Sequence, residues 1–65
     1  MENLTKSKLD EQVRIRCYNQ WETMTRREGM EKYLEGMRCC DGSERERYQN
    51  IFFALLDGEM IATDS

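Results

Sequence analysis

Three Ser/Thr-x-x-Asp/Glu triplets, Ser7…Asp10, Thr25…Glu28 and Ser43…Glu46, punctuate this chain at equal spacing. In each, the hydroxyl is placed to accept a hydrogen bond from a first-turn amide, and the acid sits near the positive end of a helix dipole. Each interval has room for a helix of about three to four turns and a short connection. A chain so divided is predicted to be all-α, a small three-helix domain with a short extended C-terminal tail. The helices are expected over residues 8–22, 26–40 and 44–57, with 1–6 a flexible N-terminus and 59–65 the tail. A length of 65 residues allows one such domain.

The apolar residues support this reading unevenly. Tyr48, Ile51, Phe52, Leu55 and Leu56 form one face of the third segment, and Asp57-Gly58 supplies a stop with Gly58 free to turn left-handed. Met30, Tyr33, Leu34, Met37 and Cys40 form the stripe of the second. Leu9, Val13, Cys17, Trp21 and Met24 fit a helical face in the first. Val13 to Tyr18 also alternates as a strand would, and Glu59 to Thr63 is the stretch that could pair with it as a two-stranded ribbon. The helix is preferred because Ser7 and Asp10 provide a start and no Gly or Pro interrupts. Together the stripes predict a core of Trp21, Tyr33, Leu34, Met37, Tyr48, Ile51, Phe52 and Leu55. Gly29 and Gly36 share one flank of the second helix, where each costs about 1 kcal/mol relative to Ala. A backbone or a bulky ring is expected to approach there, either from within the chain or from a second copy in a homodimer.

Composition narrows the function. With no histidine, a Ser-His or Cys-His nucleophile cannot be built, and no Gly-rich phosphate loop is present. No enzyme, catalytic residue, cofactor or metal site is expected. Three cysteines, two of them adjacent, do not make a secreted disulfide framework. With no signal-like or membrane-spanning segment, the chain reads as cytoplasmic and reduced. Cys40 is expected to be a small core residue, and Cys39 the thiol open to oxidation.

The net charge of −3 arises in residues 39–65, where the acids are in excess. That distribution opposes phosphate, so direct nucleic-acid binding is not expected. It suits a basic surface on another protein, including a nucleic-acid-binding channel. Five Met, three Tyr, two Phe and one Trp supply the adaptable and aromatic side chains that interfaces favour. The expected contact residues are Phe53, Glu44, Glu46, Asp57 and Glu59, where an off-stripe aromatic and acids coincide. The alternative is a small helix-turn-helix-like DNA-binding regulator using Arg14, Arg16, Arg26 and Arg27. In that alternative Glu44 and Glu46 stand in the first turn of the recognition helix and oppose the DNA. The arginines are more simply read as solvated faces making helical pairs such as Arg27 with Glu31.

The run from Thr23 to Met37, continued from Cys39 to Tyr48, resembles short uncharacterised proteins of Gram-positive (Firmicutes) prophages and conjugative elements. The resemblance spans about residues 21 to 64 and rests on wording, with no functional motif to carry over. It implies a mobile-element setting. Some small acidic proteins of such elements inhibit host defence nucleases, CRISPR effectors included, by occupying basic nucleic-acid channels. By that analogy of size, charge and setting, and from the absent catalytic constellations, the acidic C-terminal third and the aromatic- and Met-rich stripes, the chain is expected to be a non-enzymatic, anti-CRISPR-like protein-binding module.

Overall fold

The all-α expectation is overturned by a three-stranded sheet. A computed structural model describes residues 6–65. The order is α1 (Lys6–Leu9), β1 (Gln12–Cys17), β2 (Gln20–Thr25), α2 (Arg26–Cys39), α3 (Gly42–Leu56) and β3 (Ile61–Thr63). Of the segment expected to be flexible, residues 1–5 lie outside the described residues, and Lys6 begins α1. The chain is α+β: a mixed sheet in the order β2-β1-β3, with β1 antiparallel to β2 and parallel to β3, packed against α2 and α3.

The first predicted helix is therefore a single turn followed by a β-hairpin. Val13 and Ile15 alternate with Gln12 and Arg14, and both are fully buried on the side facing the helices. β-Branched residues at period two suit a half-buried strand. Tyr18 and Asn19 turn the chain with φ of 53° and 64°, the pair of left-handed residues that a two-residue hairpin turn requires. The predicted extended tail is β3. It pairs with β1 as the ribbon alternative proposed, but in parallel, with Arg14 N–H bonded to Met60 O at 3.0 Å and Asp64 N–H to Arg16 O at 3.2 Å. The hairpin then adds β2 on the other side.

Only one of the three triplets caps as predicted. Thr25 Oγ1 accepts from Glu28 N–H, and Glu28 Oε1 accepts from Thr25 N–H, both at 3.1 Å, a complete capping box. α3 begins at Gly42 after Asp41, which makes no side-chain cap bond. The predicted stop after α3 is present. Gly58 has φ 93°, Gly58 N–H reaches Leu55 O and Glu59 N–H reaches Ala54 O, which is a Schellman ending.

The core is Val13, Ile15, Tyr33, Ile51, Leu55 and Ala62. Tyr33, Ile51 and Leu55 were predicted for it, whereas Tyr48 and Phe52 only flank it. Met37 is half-buried and Leu34 exposed. Trp21 is a clear correction: it lies 48 % exposed on the outer face of the sheet, because strand geometry turns it away from Gln20 and Glu22. The two helical glycines are used inside the chain. A Cβ on Gly29 would stand 2.9 Å from Leu55 Cδ1 and 3.0 Å from Ile15 Cδ1, and one on Gly36 would stand 2.7 Å from the Tyr48 ring. The close approach that pointed to a homodimer is thus intramolecular.

Arg26, expected on a solvated face, is fully buried. Its Nη1 donates to Leu55 O and Glu59 O at 2.8 Å each, and its Nη2 pairs with Glu11 Oε1 at 2.9 Å. Nε reaches Lys8 O at 3.3 Å. α3 has no basic residue in its last turn, so Arg26 supplies from α2 the positive charge that a helix C-terminus favours.

Asp64 locks the opposite end. Its buried carboxylate accepts from Tyr18 N–H and from Arg47 Nη1, each at 2.9 Å. The Tyr18 N–H bond holds the carboxyl below its ordinary value of 3.8; burial opposes this and Arg47 adds to it. A carboxyl that is more acidic when folded contributes stability above its unfolded pKa and loses it as pH falls through the folded one. Asp64→Asn should therefore lower the Tm at neutral pH and flatten the acid limb of the stability curve below about pH 4. Melts across the acid range check this; an acid limb unchanged by the substitution contradicts it.

Candidate functional site

α3 places three of the five predicted contact residues on one exposed flank. Glu46, Asn50, Phe53 and Asp57 recur at the spacing that keeps side chains on one side of a helix. That flank lies beside β3. Asn50, Phe53, Ala54 and Asp57 from α3 and Glu59, Ile61, Thr63 and Ser65 from the C-terminal segment line an open groove of about 430 Å³. Phe53 and Ile61 are 51 % and 52 % exposed. Among the described residues, none of Glu46, Asp57 and Glu59 has an ion-pair partner. The groove is thus apolar in its middle and acidic at its rim.

β3 adds backbone to this surface. In a parallel ladder, alternate residues turn their amide and carbonyl groups to the neighbour. Residues 60, 62 and 64 face β1, so Ile61 and Thr63 direct theirs to the open edge. An edge strand with free donors and acceptors is a template for pairing.

Glu44, the fifth predicted residue, is elsewhere. Its carboxylate accepts from the hydroxyls of Tyr18 at 2.9 Å and Tyr48 at 3.2 Å, near the hairpin turn. These bonds hold both phenols on the proton; in Tyr48, burial contributes most and pushes the pKa up to about 12. Cys39 is exposed as expected, but its thiol lies 3.5 Å from Glu35 Oε2, and that bond raises its pKa and disfavours the reactive thiolate. Cys40, expected as a small core residue, is only half-buried and lies outside the core cluster, which Cys17 flanks instead.

The four arginines of the DNA-binding alternative are dispersed. Arg26 is inside, and Arg27 pairs with Asp10 at 3.2 Å where Glu31 was expected. Arg14 and Arg16 stand side by side on the outer sheet face, their guanidinium carbons 4.8 and 6.0 Å from the centre of the Trp21 ring. Neither has a carboxylate partner among the described residues. Arg16 Nε is buried without a hydrogen bond there. The alternation of residues 13–18 held the signal for this cluster, since a strand reading places both arginines opposite Val13 and Ile15.

Among the described residues, no group of three or more Cys, Asp or Glu is arranged to hold a metal ion, and no helix is long and apolar enough to cross a membrane. Comparison with known protein families, curated proteins and solved structures finds no match.

Proposed function

We propose that this chain is a non-enzymatic protein-binding module that engages a basic partner along the α3–β3 flank. The observation that carries this reading is the groove itself: two large apolar side chains about half exposed, beside an open strand edge, with Asp57 and Glu59 on the rim and without an ion-pair partner among the described residues. Phe53 and Ile61 are the anchors, since buried aromatic and aliphatic contacts supply most interface energy. The free edge of β3 offers Ile61 and Thr63 to an added strand. Glu46, Asp57 and Glu59 select a basic surface and speed encounter with it. A module of this kind masks the phosphate-binding surface of its partner, as an inhibitor of a nucleic-acid-binding host or defence protein would. A cytoplasmic location suits its three free thiols. A mobile-element origin would supply the biological setting.

A second reading is favoured by one observation, Arg14 and Arg16 beside Trp21 with no carboxylate partner among the described residues, which resembles a stacking platform for single-stranded nucleic acid. The two are separable. A tagged chain should capture a basic protein from a nuclease-treated bacterial extract, less so at high salt. Capture should be lost with Phe53→Ser or Asp57→Lys/Glu59→Lys and kept with Arg14→Ala/Arg16→Ala. Capture indifferent to the flank changes would overturn the proposal. So would salt-sensitive DNA or RNA binding by the isolated chain that Arg14→Ala/Arg16→Ala abolishes.

A further inference from the structure

A second cavity, of about 470 Å³, opens between the hairpin turn and the ends of α2 and α3, away from the groove. We propose that it binds a quaternary ammonium group, a positive charge clothed in methyl groups. Tyr18, Tyr33 and Tyr48 wall it, one from each of the turn, α2 and α3. The rings of Tyr33 and Tyr48 lie 5.6 Å apart at 53°. Tyr48 rests on Gly36, whose missing side chain leaves the space the ring occupies. Glu44 ties the Tyr18 and Tyr48 hydroxyls together, so a single carboxylate sets two walls and lends them its charge.

A cluster of tyrosine rings with a carboxylate is the arrangement that attracts an alkylated ammonium, through the negative ring faces and without any N–H to satisfy. The rings already act on the chain's own cations. Lys32 Nζ lies 5.5 Å from the centre of Tyr33, and Arg47 lies 4.5 Å from that of Tyr18. Lys32 and Glu22 both line the cavity and pair with each other at 2.9 Å, and Arg47 pairs with Asp64, so each of those cations has its own carboxylate. Glu44 has no cation partner among the described residues, and its carboxylate stands against the hydroxyls of two of the three walls.

Tyr33 is only 4 % exposed, so its ring forms the inner wall of the cavity.

The test is titration of the full chain, followed by tyrosine ring resonances. The probes are choline chloride, a peptide carrying trimethyllysine, and the neutral isostere of choline in which carbon replaces nitrogen. Both cations should shift Tyr18, Tyr33 and Tyr48 saturably, and the isostere should bind about tenfold more weakly. The tighter of the two cations identifies the source as a free metabolite or a modified protein tail. Tyr18→Asn, which suits the turn, and Glu44→Gln, which keeps an acceptor, should each weaken binding about tenfold while the melting curve stays cooperative. Equal binding of the isostere, no saturable shift with either cation, or indifference to both substitutions overturns the assignment. Because the groove residues are untouched, failure here leaves the protein-binding test unaffected.

Discussion

Arg26→Met is expected to leave the chain largely unfolded at room temperature. The guanidinium donates to Leu55 O, Glu59 O and Lys8 O, and pairs with Glu11. Methionine matches its length but returns none of those bonds, so several carbonyls near the end of α3 lose their donor at once. Breaking a buried, hydrogen-bonded charge in this way costs about 3–5 kcal/mol. A core of this size supplies only about 3–5 kcal/mol in total. Arg26→Lys should be nearly as harmful, because one ammonium cannot span acceptors held by three guanidinium nitrogens. Far-ultraviolet circular dichroism with a thermal melt checks both; a cooperative transition near the wild-type Tm would show that the network does not hold α1, α2 and α3 together.

Leu55→Ala is the second large effect. Leu55 is fully buried, with Cδ1 against the backbone of Gly29 and near Ile15 where helices and sheet meet. Truncation there should cost about 2–5 kcal/mol through lost burial and the cavity left behind. The glycine makes the test sharper. Gly29→Ala alone overpacks the same point, since its Cβ would stand 2.9 Å from Leu55 Cδ1. In the Leu55→Ala background the new methyl keeps only its close approach to Ile15 Cδ1, so Gly29→Ala should cost less there than in the wild type. Strict additivity of the two changes, measured by denaturant unfolding, would place Gly29 and Leu55 out of contact.

What the sequence made legible follows from how local each signal is. Thr25 and Glu28 satisfy each other within one turn, and Gly58 acts on its own backbone, so both could be read directly. The stripe from Tyr48 to Leu55 is long enough to fix its period. Gly29 and Gly36 announced close approach because nothing else excuses two glycines on one side of a helix.

The first third misled for a physical reason. Leu9, Val13, Cys17, Trp21 and Met24 happen to fit a helical face, while β1 is only six residues long and turns without a glycine. Its strand character depends on β3, which pairs across more than forty intervening residues, and such partners leave no local mark. Arg26 looked like a surface charge because its acceptors come from α1, α3 and the following turn. The acids of the α3 flank were readable as a helical series, but the tyrosine cavity draws one wall from each of three elements. Glu44 was assigned to the flank on charge, when its geometry serves the phenols.

The proposed binding edge rests on β3 being a paired strand with one side free, and backbone amide hydrogen exchange of the free chain tests this most directly. Ala62 and Asp64 should be protected to the same degree as the inner amides of β1, while Ile61 and Thr63 exchange with solvent. If all four exchange at unfolded rates, the tail is not part of the sheet. If all four are protected, the edge is already covered in the free protein, and neither result is compatible with an open edge on α3's acidic flank.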